Sequence, residues 1–135
     1  MDKLNSVIPC FLSVCGTGIG YFLGGFDTAI YTLITFLIVD YITGIMASLK
    51  ERRFNYDVGF WGIVKKIFVL ILVGIAASLD NILGTEQVII RMAVIFFYLG
   101  IEGLSIIENA SKIGIPIPEV LTKWFVNLKK DGEKS

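Results

Sequence analysis

Histidine is absent from the 135 residues, cysteine occurs twice, proline three times, and charged side chains make up only 18% of the chain. Each shortage closes off a class of function. Without histidine there is no imidazole for general acid–base work or for a zinc site, and Cys10 and Cys15 have no metal-binding spacing. Nor can the two thiols pair on a helix, where five residues set them roughly 140° apart. A Leu12-Ser13-Val14-Cys15 run loosely resembles a lipoprotein cleavage box, but valine before the cysteine is bulky for that processing, so the N-terminus is expected to be kept. Twelve basic and twelve acidic residues leave no net charge, hence no basic field to draw nucleic acid as a partner. Gly16-Thr17-Gly18-Ile19-Gly20 lies within an apolar run, without the strand-to-helix setting of a phosphate loop. With no nucleophile–base set either, neither catalysis nor a cofactor is expected.

What the chain has in quantity is apolar surface, at 55% of residues. A soluble domain of this length could not hide so much of it in one core. A spanning helix needs about 20 predominantly apolar residues, and four segments qualify: Val7 to Leu23, Thr28 to Leu49, Trp61 to Leu83 and Val88 to Ile107. The fold expected is therefore all-α, a polytopic transmembrane bundle over residues 1–112. Gly24-Gly25-Phe26-Asp27 and the Asp80 to Glu86 stretch make short acidic connections. The middle connection, with Lys50, Arg52, Arg53 and then Lys65 and Lys66, is strongly basic. Basic loops stay in the cytoplasm, so this loop and both termini are expected inside. The first segment is the shortest, and a three-span alternative lays it on the membrane surface.

Beyond the fourth segment, Gly114-Ile115-Pro116-Ile117-Pro118 breaks the helix. A short helix is expected from Pro118 to Leu128. Its Val120, Leu121, Trp124, Phe125 and Leu128 share one face, as in a helix lying in the headgroup plane with Trp124 and Phe125 as interfacial anchors. Packing of that face onto another protein or subunit is the alternative. Residues 129–135 read as a charged, disordered tail.

Polar features within the apolar segments carry most of the information. Gly16, Gly20 and Gly24 recur every fourth residue, leaving a bare face for close helix packing. Charges at depth cost roughly 2.5–3.5 kcal/mol each on insertion scales, and three sites carry them: Asp40, Lys65 with Lys66, and Glu102. Counting about 1.5 Å per residue from the outer ends puts all of them near one level, roughly 20 Å deep. Lys66 is expected to pair with Asp40 and Glu102 while Lys65 snorkels to the headgroups. On the fourth segment Arg91, Tyr98, Glu102, Ser105, Asn109 and Lys112 form one polar stripe, read either as interhelical bonding or as a water-lined path.

Three blocks of this sequence resemble the toxin-secretion and phage-lysis holins of Gram-positive bacteria and their phages. They are Asp40-Tyr41-Ile42-Thr43-Gly44-Ile45, Gly59-Phe60-Trp61-Gly62-Ile63-Val64-Lys65-Lys66, and Glu102 to Asn109 followed by Lys112, Gly114 and Pro116-Ile117-Pro118. The resemblance implies a homo-oligomer in the bacterial cytoplasmic membrane that lets a murein hydrolase or protein toxin pass through the lipid bilayer. A small four-helix transporter or ion channel, with Asp40 and Glu102 as ion sites, is the competing reading.

Overall fold

The computed structural model describes residues 1–134, which form five α-helices and no strand. They are α1 (Asp2–Phe22), α2 (Thr28–Lys50), α3 (Tyr56–Leu83), α4 (Ile89–Ile113) and α5 (Glu119–Lys134). The first four are each long and apolar enough to cross a membrane.

Helix ends follow local chemistry. Asp27 caps α2 by accepting from the Ile30 amide at 3.0 Å, and Asn55 accepts from the Asp57 amide at the start of α3. Gly24 adopts φ +82° in the turn after α1, a left-handed geometry that costs glycine little. Gly114 (φ +99°) ends α4, and the Ile113 carbonyl there accepts a 2.6 Å bond from Lys50 Nζ, which ties the basic ends of α2 and α4 together. α1 and α3 each begin five residues before the expected apolar runs, and α4 extends six residues further. Hydrophobicity marks where lipid can be, whereas capping and the next turn signal mark where the helix stops.

α4 is the central element, packed against α2, α3 and α5. Leu23, Ile30, Leu33, Leu37, Val69, Val73, Ile95 and Leu99 form the buried core. Phe68, Ile75, Ile38, Ile42 and Phe11 point outward, as a lipid-facing rim requires. In such a setting close packing and polar bonds, more than removal from water, select the arrangement. α1 is attached differently. It touches α3 near its C-terminal end, where Phe22 sits against Gly74, and Gly20 is its one buried residue.

Two expectations need correction. α5 does not stop at Leu128 before a disordered tail; it continues to Lys134 because it packs antiparallel along α4. A Cβ on Gly100 would lie 2.6 Å from the Lys129 backbone nitrogen, and one on Gly132 would lie 2.6 Å from Phe97 Cα, so the glycines let the two helices touch backbone to backbone. The expected anchor pair is also split. Phe125 lies against Gly103 and makes an edge-on contact with Phe36 of α2 (ring centroids 5.7 Å), whereas Trp124 is exposed.

Candidate functional site

Three helices bring one charge each to the same depth. Asp40 lies on α2 and Lys66 on α3, while Glu102 sits on α4, in the stripe that turns its polar residues toward the bundle. Lys66 Nζ donates to Asp40 Oδ2 and to Glu102 Oε2, both at 2.6 Å. Asn109, two turns along α4, donates to Asp40 Oδ1 at 3.0 Å and to the Thr43 hydroxyl at 3.1 Å. The side chains of Lys66, Asp40 and Glu102 are only 18%, 13% and 9% exposed, so these bonds stand in for most of their hydration. One cation against two carboxylates leaves a formal charge of minus one. The expected pairing is thus present, and Lys65, one position back and roughly 100° round the helix, is exposed.

A cavity of about 360 Å³ opens beside this triad, between α2, α3 and α4. Tyr41, Ser48, Glu51, Lys65, Ser105 and Lys112 line it along with the triad itself. It exists because α2 and α3 barely touch each other and are held apart by α4. Gly59 and Gly62 present no side chain there, and Tyr41 fills the space in front of them. Among the described residues no three His, Cys, Asp or Glu side chains are placed to hold a metal ion.

The rest of the α4 stripe divides by depth. Arg91 is buried at the opposite, acidic end, with Nη1 2.7 Å from Asp27 Oδ2 and Nη2 3.2 Å from Oδ1. Its Nε and Nη2 donate to the Leu23 and Gly25 carbonyls, so one guanidinium clamps the whole α1–α2 turn to α4. Bonding to Arg91 holds the Asp27 carboxyl below the usual aspartate range. Tyr98 packs half-buried against the core. Lys112 lies at the exposed end and faces Glu108 at 3.4 Å.

Asp80, one of the acids of the α3–α4 connection, has a structural role at the start of α4. It is buried and accepts from the Ile90 amide (3.0 Å), the Arg91 amide (2.8 Å) and the Thr85 hydroxyl (2.7 Å), capping α4 from the end of α3. The signal was an acid nine residues before an apolar helix whose own N-cap, Val88, offers no side-chain acceptor. Asp27 was legible in the same way, directly before Thr28. Of the three glycines proposed as a packing face, Gly24 belongs to the turn and packs on Arg91, Gly20 packs on Phe26, and Gly16 meets nothing within 4 Å. The every-fourth spacing is not a single contact surface within the chain, because α1 ends at Phe22, before Gly24.

A model of the bacteriophage holin family matches residues 17–130. An uncharacterised protein of Listeria monocytogenes is 46% identical over 106 residues, covering 78% of this chain and 75% of the relative. An uncharacterised 14.9 kDa protein of Clostridium perfringens is 32% identical over 128 residues, 95% of this chain and 97% of the relative. A probable holin of Bacillus phage phi105 is 32% identical over 97 residues, 72% of this chain and 71% of the relative. No solved structure matches the chain.

Proposed function

The chain belongs to the bacteriophage holin family, and from that membership we propose that it oligomerises in the bacterial cytoplasmic membrane and opens lesions through which a murein hydrolase or protein toxin passes. The observation that carries the oligomer is the size of the space inside one chain. A 360 Å³ cavity that ends on a bonded Asp40–Lys66–Glu102 triad holds a few small molecules, not a folded enzyme. The passage must therefore lie between subunits. The triad's part in this reading is structural: it joins α2, α3 and α4 at a depth where any of the three charges alone would be costly. Basic residues at the triad end, including Lys50, Arg52, Arg53, Lys65 and Lys112, support a cytoplasmic location for that end and for both termini.

One observation favours a narrower activity, that of an ion path: polar side chains, among them Ser48, Glu51, Lys65, Ser105 and Lys112, line part of the cavity that leads to the triad from the basic end. Induced expression in a bacterium carrying a cytoplasmic reporter enzyme separates the two. Growth arrest with release of the reporter is expected. Ion leakage with the enzyme retained would instead assign the chain as a channel.

A further inference from the structure

α5 occupies a place that a bilayer does not permit it to keep. Gly100 and Phe97, which face Lys129 and Gly132, lie 13 and 16 residues from the basic end of α4. At 1.5 Å per residue that is roughly 20 and 24 Å, beyond the middle of a hydrocarbon core about 30 Å thick. Lys130, Glu133 and Lys134 are exposed on the outer side of α5 at that depth. Charges directed into lipid there are among the costliest placements a membrane protein can have. The seat is nevertheless shaped for a helix, since Gly100 admits a backbone, Gly103 admits the Phe125 ring, and Phe36 and Phe97 flank it. A helix of suitable chemistry is also left over. α1 is exposed along nearly its whole length, with Gly16 and Gly18 meeting nothing within 4 Å.

We propose that the α4 groove under α5 is the subunit interface, and that α1 of a second copy takes the seat once α5 withdraws to the membrane surface. The proposal rests on the reading of the chain as an oligomeric membrane protein. α1 cannot fill the seat of its own chain, because it is held on the α3 side by Phe22 against Gly74 and by the Arg91 bond to the Leu23 carbonyl, while the seat lies between α2 and α4. Plug and seat are thus different surfaces. Such a heterologous contact repeats from copy to copy and grows into rings or open arrays, whereas a self-complementary contact ends at a dimer. Depth agrees: Cys15 is seven residues from the acidic end of α1 and Phe97 is eight from that of α4, roughly 10 and 12 Å.

The test is disulfide crosslinking of the full chain in bacterial membranes. Phe97→Cys with native Cys15, in a Cys10→Ser background, should give on oxidation a ladder extending past the dimer. Ile101→Cys with native Cys10, in a Cys15→Ser background, provides an independent second pair. Lys130→Leu, Glu133→Leu and Lys134→Leu together remove three of the four exposed charges at that end of α5, so it should keep the seat more readily and lower the ladder yield at least tenfold. Crosslinking that stops at the dimer, or a ladder unaffected by the triple change, overturns the proposal. So does the absence of any crosslink from both pairs in protein that still releases the reporter enzyme, an outcome that leaves the functional reading intact. A full ladder in cells that retain the reporter supports the seat and overturns the lesion-forming reading instead.

Discussion

Lys66 shows why a residue's worth depends on its neighbours. Among the described residues it supplies the only cation within bonding distance of both Asp40 and Glu102 in the bundle core. Replacing it with alanine strands two acids, and breaking a buried pair from one side typically costs about 3–5 kcal/mol. Lys66→Ala should therefore lower the thermal stability of detergent-solubilised protein and the amount that accumulates in membranes. Adding Asp40→Asn or Glu102→Gln should recover about 1–3 kcal/mol of that loss through coupling. Strictly additive melting shifts would mean that the three side chains act independently. The Asp27–Arg91 clamp makes a different prediction, in pH. Because Arg91 depresses the folded carboxyl below its ordinary 3.8, the stabilisation is complete above that value and is lost as pH falls through the folded one. Wild type and Asp27→Asn should then differ in melting temperature by a constant amount from pH 8 to 5, and converge below about pH 4. A gap that persists into strong acid would show that the carboxylate charge contributes nothing.

At the scale of elements, the start of α4 is built from parts of other helices. Val88 carries φ +44° and caps nothing with its side chain, while Asp80 reaches across from α3 to take two of the free amides. Asp80→Ala should cost about 1–3 kcal/mol by leaving those donors unsatisfied. Val88→Gly should raise the melting temperature by a few degrees, since a β-branched residue in the left-handed region is strained by about 1–3 kcal/mol and glycine is not. A fall in melting temperature for the glycine variant would place the strain elsewhere. The two ends of α4 are secured by contrasting chemistry, Asp80 accepting from amides at its N-terminus and Lys50 donating to a carbonyl at its C-terminus. Both arrangements also suit the helix dipole.

For the whole molecule, the charge asymmetry of the connections makes a topological prediction. Reporter fusions after Ser135 and within residues 50–55 should report the cytoplasm, and one within residues 80–86 the exterior. Opposite locations for the first two would refute the arrangement of four spans with both termini inside. In that arrangement the triad would lie in the cytoplasmic half and the Asp27–Arg91 clamp near the outer surface. The two polar clusters thus brace the bundle at different depths, with an apolar core of Leu33, Leu37, Val73 and Ile95 between them.

The apolar runs alone specified four helices able to span a membrane, and the fixed rise of a helix placed Asp40, Lys66 and Glu102 at one level, because depth is a one-dimensional quantity that counting residues supplies. The spacing of Arg91, Glu102 and Asn109 likewise marked a face of α4 that turns away from lipid, and burial of all three agrees. Direction around a helix relative to its neighbours is another matter. That Asp27 would meet Arg91, 64 positions away, or that Asp80 would cap α4, depends on how α1–α2 and α3–α4 turns fold over one another. The course of α5 was equally hidden. Its amphipathic face was plain in the residues, but lipid headgroups and the Gly100–Gly103 groove offer similar apolar contact, and only the backbone approach permitted by Gly100 and Gly132, with the space Gly103 leaves for the Phe125 ring, selected α4 as its partner in the folded chain.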